Sequence, residues 1–169
     1  MKKRWLGLFL LISLLLSACT NSTVTQPVTQ SPAELPTETS SALTLTDALG
    51  RTVTLDSLPQ RIVVTGKASL MVLDAMYMFP EARERVVAFE DLAQGDVNFI
   101  SLLDPNYAEK AWLQRDAGVE QFVSAEPDLV VMKSSNAEKY GAPIEAINIP
   151  VAYVDFETPE QYARDLEIL

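Results

Sequence analysis

Polar and aromatic side chains follow four compact apolar runs of this 169-residue chain. In chain order they are Lys67 and Ser69, Glu90 and Asp91, Lys133 and Ser134, and Phe156. The two lysine ammonium groups could meet a carboxylate or phosphate of a bound molecule as point charges, although isolated lysines are often simply solvated. Phe156 could form an apolar wall or equally fill the core. These residue types favour a binding site, provided that the fold brings them to one place.

The four apolar runs lie at residues 62–64, 86–89, 129–132 and 151–154. Because they are continuous rather than alternating, they predict strands buried on both faces. Apolar residues at helical spacing lie between them, with Leu70, Leu73 and Met76 in the first connection and Ile144 with Ile147 in the third. The connection 91–128 has room for two or three helices, with Phe99, Leu102 and Leu103 in one helix and Val119, Phe122 and Val123 in another.

Alternating strands and helices predict an α/β fold class, a parallel sheet covered by helices with right-handed crossovers. A short hairpin is predicted before it, at residues 43–55. In such a sheet the crevice lies beyond the carboxyl ends of the strands, so the polar residues named above would meet there.

Charge and composition argue against several classes of function. With 23 acidic and 13 basic residues and no histidine, the formal net charge is −10. A nucleic-acid partner is not expected, because phosphate backbones are held by clustered lysine and arginine. The lack of histidine removes the commonest metal ligand and the usual general base near neutral pH, so no intrinsic cofactor or metal site is expected.

An α/β enzyme is the weaker alternative. The segment Gly66-Lys67-Ala68-Ser69 is similar to the end of a phosphate-binding loop, but Arg61 stands where that motif needs glycine. The sequence contains neither a Gly-x-Ser-x-Gly elbow nor a dinucleotide fingerprint. Glu90 and Asp91 could do acid or metal chemistry, but carboxylates are ordinary on an acidic surface.

The single cysteine, Cys19, predicts a lipid anchor. It follows a basic start, an apolar run at residues 5–16 and the small pair Ser17 and Ala18, which together make up a secretory signal. Residues 16–19, Leu-Ser-Ala-Cys, resemble a bacterial lipobox, whose cysteine is acylated and becomes the first residue of the mature chain. Residues 1–18 are therefore predicted to be a lipoprotein signal peptide, and Cys19 is expected to contact membrane lipid outside the cytoplasm.

The segment after the anchor has a different composition. Residues 19–42 are rich in serine, threonine and proline and predict a disordered tether. Loss of the signal peptide, which carries Lys2, Lys3 and Arg4, would move the net charge from −10 to −13. The globular part is then an acidic lobe at residues 43–157.

The last residues, 158–169, predict a helix. Thr158 is a typical N-cap, Pro159 suits the first helical position, and Gln161 completes a capping box. Because no usual helix-terminating signal follows, we expect a truncated chain. A short C-terminal helix that frays is the alternative.

A set of segments in a fixed order carries a family resemblance. They are residues 47–51 (Asp-Ala-Leu-Gly-Arg), 59–64 (Pro-Gln-Arg-Ile-Val-Val), 119–131 with its Glu-Pro-Asp-Leu-Val-Val ending, 149–151 (Ile-Pro-Val), and the helix start at Thr158. Residues 43–169 thereby resemble the N-terminal lobe of the periplasmic-binding family that serves iron-siderophore, haem and cobalamin ABC importers. The resemblance implies two α/β lobes joined by one long helix, with the solute between them, and residues 158–169 as the start of that helix.

The resemblance also implies a non-enzymatic role. A metal chelate or corrinoid, such as an iron-siderophore, haem or cobalamin, would be captured outside the cell and delivered to ABC permease subunits; we expect a monomer. Glu120 matches the surface glutamate that docks on permease arginines in that family, and a solvated helix charge is the alternative. An extracellular structural or adhesion lipoprotein is the competing interpretation, since it would be anchored in the same way.

The solute itself is less well defined by these residues. No arginine follows the strand ends, so the bidentate clamp expected for an acidic ferric chelate is not visible in this lobe. Tyr77, Tyr107 or Tyr140 could ligate iron as a phenolate, although tyrosines at helical spacing are more often packing residues.

Overall fold

The computed structural model describes residues 42–90 and 99–169. The predicted signal peptide, Cys19, all but the last residue of the predicted tether, and Asp91 lie outside the described residues. Two strands, β1 (Leu43–Thr46) and β2 (Thr52–Leu55), form the predicted antiparallel hairpin.

Five further strands form one parallel sheet in the order β5-β4-β3-β6-β7. They are β3 (Ile62–Val64), β4 (Val86–Glu90), β5 (Ala111–Leu113), β6 (Leu129–Lys133) and β7 (Val151–Val154). The helices are α1 (Ser69–Met76), α2 (Ala82–Arg85), α3 (Phe99–Leu103), α4 (Val119–Ala125), α5 (Ala142–Glu145) and α6 (Pro159–Leu166). Short 3-10 turns lie at Tyr107–Glu109 and Ser134–Asn136, and one π turn lies at Ala137–Gly141.

The two faces of the sheet are both buried. Val64, Val131 and Val154 belong to a core with α1, α3, α6 and the hairpin. Their neighbours in sequence, such as Val63 and Tyr153, belong to a second core with α4 and α5. Because successive strand residues point to opposite faces, both sets must be apolar, which explains the continuous runs in the sequence. The predicted fold class is confirmed.

The outer edge of β7 is covered by the hairpin turn. The Ala48 N–H donates to the Tyr153 carbonyl oxygen at 2.8 Å, and Arg51 Nη2 donates to that of Val151 at 3.1 Å. Asp47 holds the turn by accepting from the Leu49 and Arg51 N–H groups, each at 3.0 Å. These contacts satisfy carbonyl groups that an open sheet edge would expose.

Two details of the sequence prediction are wrong. Strand β5 was not predicted, because Ala111 and Trp112 are exposed and Leu113 alone is buried, so this edge strand lacks a continuous apolar run. In α3 the fully buried residue is Ile100, whereas Phe99 and Leu102 are 51% and 75% exposed. A five-residue helix allows several apolar faces, and the neighbouring elements decide which one is buried.

Candidate functional site

The strand order creates a switch point between β3 and β6. From β3 the chain proceeds through β4 to β5 on one side, whereas β6 and β7 extend the sheet on the other. In open α/β sheets the crevice lies at such a point, beyond the carboxyl ends of the strands. The β3–α1 loop, which starts at Thr65, and the turn after β6, which starts at Ser134, therefore form its centre.

The β3–α1 loop is held by two buried side chains. Glu90, at the end of β4, accepts hydrogen bonds through Oε2 from the Gly66 N–H at 2.7 Å and from the Thr65 hydroxyl at 3.3 Å. Asn136 Oδ1 accepts from the Lys67 N–H at 3.0 Å, while its Nδ2 donates to the Lys67 carbonyl at 3.2 Å. The Glu90 carboxylate thus supports the loop at the floor of the crevice.

Gly66 permits this arrangement. Its φ is +89°, and a Cβ at this position would lie 2.9 Å from Asn136 Cγ. Asn136 cannot move aside at low cost, because it is buried and bonded to both backbone groups of Lys67. A glycine is therefore required by the conformation and by the close approach together.

The two predicted lysines have different surroundings. Lys67 is exposed on the loop. The Lys133 side chain is only 7% exposed, and its Nζ pairs with Glu157 Oε1, which compensates the buried charge. Lys67 is therefore the more accessible cation of the two at this edge.

Beyond β7, the predicted residues belong to a network that reaches α6. Ser134 Oγ donates to Asp155 Oδ1, and Asp155 Oδ2 pairs with Arg164 Nη2 at 2.9 Å. Asp165, fully buried, accepts from the Asp155 and Phe156 N–H groups at 2.6 and 2.9 Å. Ser134 therefore already donates within the protein.

Phe156 lies in the core. It is 5% exposed, and its ring centroid lies 4.9 Å from that of Tyr162 on α6. Of the two interpretations of this residue, the structure favours core packing over an apolar wall for the crevice.

The start of α6 is built as the sequence predicts. Gln161 N–H donates to Thr158 Oγ1 at 3.3 Å, and Gln161 Oε1 accepts from the Thr158 N–H at 3.0 Å. The predicted capping box, with Pro159 at the first helical position, is confirmed.

Glu120 lies on the same side of the sheet as the crevice. It is exposed in the first turn of α4, and helices that follow parallel strands begin near the strands' carboxyl ends. A cavity of about 220 Å³ lies beside it, lined in part by Gly118 and Phe122, with Asp116, Lys139 and Tyr140 at its polar side. Hydrogen bonds from Lys139 and Tyr140 hold the pKa of Asp116 below its usual value.

The tyrosines differ in position. Tyr77 follows the last residue of α1 and therefore lies towards the amino ends of the strands, away from the crevice. Its hydroxyl donates to Asp104 Oδ2 at 2.7 Å. Burial raises the pKa of Tyr77, and the Asp104 carboxylate raises it further, which opposes a phenolate ligand. Tyr107 packs against Phe89 and Trp112. Tyr140 alone of these three lies near the crevice, where its hydroxyl bonds to Asp116.

Sequence reasoning missed three buried polar residues that hold the loops at the carboxyl ends of the strands. They are Thr65, Asn136 and Asp165. Asn136 follows two serines, and Asp165 lies in a charged helix, so neither position carries a distinctive local signal.

Among residues 42–90 and 99–169, no helix is long and apolar enough to cross a membrane, and no group of three or more acidic, cysteine or histidine side chains could hold a metal ion.

Comparisons with known proteins define the fold. Neither models of protein families nor curated proteins match this chain. The alignment with a periplasmic solute-binding protein from Veillonella parvula DSM 2008 covers 74% of this chain and 39% of that protein, with 16% identity and a TM-score of 0.58. The alignment with the TroA-like periplasmic binding protein FepB from Veillonella parvula covers 75% of this chain and 43% of that protein, with 21% identity and a TM-score of 0.58. The alignment with a periplasmic solute-binding protein from Mycobacterium smegmatis str. MC2 155 covers 72% of this chain and 44% of that protein, with 24% identity and a TM-score of 0.51.

These similarities establish the class of fold. The chain has the α/β lobe fold found in periplasmic solute-binding proteins. It spans about two fifths of the length of these solved structures.

Proposed function

We propose that this chain is the N-terminal lobe of the solute-binding lipoprotein of an ABC importer. It would capture a metal chelate or corrinoid, namely an iron-siderophore, haem or cobalamin, and deliver it to the permease. The observation that carries the proposal is the five-stranded parallel sheet with a polar switch-point edge, on a fold that matches periplasmic solute-binding proteins at a TM-score of 0.58. The ordered sequence segments described above support the choice of solute class.

The proposal includes a second lobe. The chain spans 39% to 44% of the similar structures, and in this interpretation α6 starts the helix that joins the lobes. The helix is held to the residues after β7 by Asp165, which accepts from the Asp155 N–H, and by Arg164, which pairs with Asp155; this suits that role, because a connecting helix must keep a fixed orientation to the lobe. One lobe supplies one wall of the crevice, so the described residues alone should bind the solute weakly.

Lipidation of Cys19 belongs to the same proposal. Acyl chains on this cysteine would hold the protein on a bacterial membrane outside the cytoplasm, at the cell surface or on the periplasmic face, and residues 20–42 would let a monomeric binding protein reach its permease. Two or more acyl chains anchor a protein stably where one does not. Mass spectrometry of the membrane fraction tests this point: a diacylglycerol on Cys19 is expected, and an unmodified thiol contradicts it.

We propose a binding role without catalysis. The Glu90 carboxylate, one of the two acids that could have done acid or metal chemistry, accepts through Oε2 from the Gly66 N–H and the Thr65 hydroxyl of the loop. These bonds give Glu90 a structural role, which is to hold the β3–α1 loop of the binding crevice.

The direct test is a thermal-shift screen of the complete gene product against ferric siderophores, haem and cobalamin. A ligand that binds the folded state raises the melting temperature by mass action. One of these classes should do so at micromolar concentration, and calorimetry should confirm one solute per protein. A complete gene product that responds to none of the three classes contradicts the proposal.

The proposed docking role of Glu120 has its own test. Glu120→Ala should lower uptake into cells while leaving solute affinity nearly unchanged, because the side chain is exposed and outside the loop that forms the crevice centre. Glu84→Ala is the matched control, since Glu84 is also an exposed helical glutamate but lies on α2, before β4. Equal loss of uptake in both variants, or loss of solute affinity in Glu120→Ala, contradicts docking at this site.

A further inference from the structure

We propose that the amino end of α1 is an oxyanion subsite of the crevice, which takes a carboxylate or phosphate group of the bound solute. This inference rests on the proposed function and narrows the solute to one that carries such a group. The subsite consists of two backbone N–H groups, the Ser69 hydroxyl and the Lys67 ammonium group.

The backbone of this loop leaves two donors open. The Lys67 N–H donates to Asn136, the Ser69 N–H to the Gly66 carbonyl at 3.2 Å, and the Met71 N–H to the Ala68 carbonyl at 3.2 Å. The N–H groups of Ala68 and Leu70 pair with no acceptor in the described part of the chain. The N-cap is an alanine, so no side chain caps this eight-residue helix. Unpaired N–H groups at a helix start carry partial positive charge and suit an anion.

Ser69 supplies the second, independent observation. It is 6% exposed, and its hydroxyl has no hydrogen-bond partner within residues 42–90 and 99–169. Because Cα–Cβ bonds in a helix tilt towards its N-terminus, the side chain of this first helical residue leans towards the open N–H groups. The side chain is therefore largely buried while its oxygen keeps contact with solvent, so the hydroxyl is open to donate to an oxygen of a bound anion.

The charges around the subsite set its strength. Lys67 is exposed on the loop and adds a positive charge, whereas Glu90 lies beneath the loop and adds a negative one. Lys133 contributes little because Glu157 pairs with it. A free oxyanion should therefore bind weakly, and the remainder of the solute would supply the rest of the affinity.

The test is an NMR titration of the full chain, labelled with ¹⁵N, with inorganic phosphate and separately with acetate. Sodium chloride at equal ionic strength is the reference. We expect saturable shifts of the Ala68, Ser69 and Leu70 amide signals with at least one of the two anions, and the stronger of them identifies the preferred group.

Four variants make the test specific. Ser69→Ala and Lys67→Gln should each weaken binding about tenfold, the usual effect of losing one hydrogen bond to a charged group. Ser135→Ala and Lys139→Gln are the controls, since both residues are exposed near the same edge, and they should leave the affinity unchanged.

Three results would overturn the subsite: shifts that chloride reproduces, no saturable response at these amides with either anion, or unchanged affinity in both Ser69→Ala and Lys67→Gln. The solute screen separates this outcome from failure of the proposed function. A chelate or corrinoid that raises the melting temperature equally in the wild type and in Ser69→Ala leaves solute binding intact and removes only the subsite.

Discussion

Gly66→Ala should be considerably more destabilising than an ordinary glycine substitution. An alanine at φ +89° costs about 1–2 kcal/mol, as left-handed conformations of L-residues do. Its Cβ would also lie 2.9 Å from Asn136 Cγ and displace that amide. The two hydrogen bonds between Asn136 and Lys67 would then be lost at about 0.5–1.5 kcal/mol each, for a total of about 2–5 kcal/mol.

Gly50→Ala is the matched control. Gly50 has a φ of +73°, but a Cβ added there would have no atom within 4 Å. This variant should therefore show the conformational cost alone, about 1–2 kcal/mol. Urea denaturation followed by circular dichroism measures both variants, and an unchanged m-value ensures that the midpoints report stability.

A double-mutant cycle isolates the contact. Asn136→Ala removes the side chain that the new Cβ would meet, so Gly66→Ala in that background should cost no more than Gly50→Ala. The coupling free energy between residues 66 and 136 should then be about 1–3 kcal/mol. Equal costs for Gly66→Ala and Gly50→Ala in the wild-type background would refute the reasoning about the contact with Asn136.

Further predictions concern the buried pair of Tyr77 and Asp104 and the capping box of α6. Tyr77→Phe should lower the free energy of unfolding by about 1–3 kcal/mol, because it removes the hydroxyl donor of the buried Asp104 Oδ2 and leaves that oxygen to Lys110 Nζ at 3.3 Å. Tyr140→Phe should cost less in the same urea assay, because Tyr140 donates to the exposed Asp116. Burial alone would raise the pKa of Asp104, but its hydrogen bonds, the one from Tyr77 foremost, hold that pKa below its ordinary value. Protonation therefore favours the unfolded state, so stability should fall as the pH drops below about 4, and this acid loss should be smaller in Asp104→Asn. Thr158→Ala should cost about 1 kcal/mol and Thr158→Ser nearly nothing, and equal stability of the two variants would contradict a role for the capping box.

Local patterns in the sequence were sufficient for much of the fold. The run at residues 151–154 predicts β7 because a strand buried on both faces must be apolar throughout, and Thr158 with Gln161 predicts the start of α6 because a capping box is complete within four residues. Strand β5 lacked such a pattern, since it lies at an edge and buries only Leu113 fully.

The sequence by itself determined the class of fold and the edge at which the polar residues gather, because both follow from periodicity and from the rule that parallel strands end at one edge. Only the tertiary structure decided which of those residues remain accessible. Lys133 is compensated by Glu157, 24 residues away, and the Lys67 loop is fixed by Asn136, 69 residues away. Such pairings depend on strand order and on the distance between elements, which local patterns do not encode. That is why two similar lysines after two similar strands end up as one buried cation paired with a glutamate and one exposed cation.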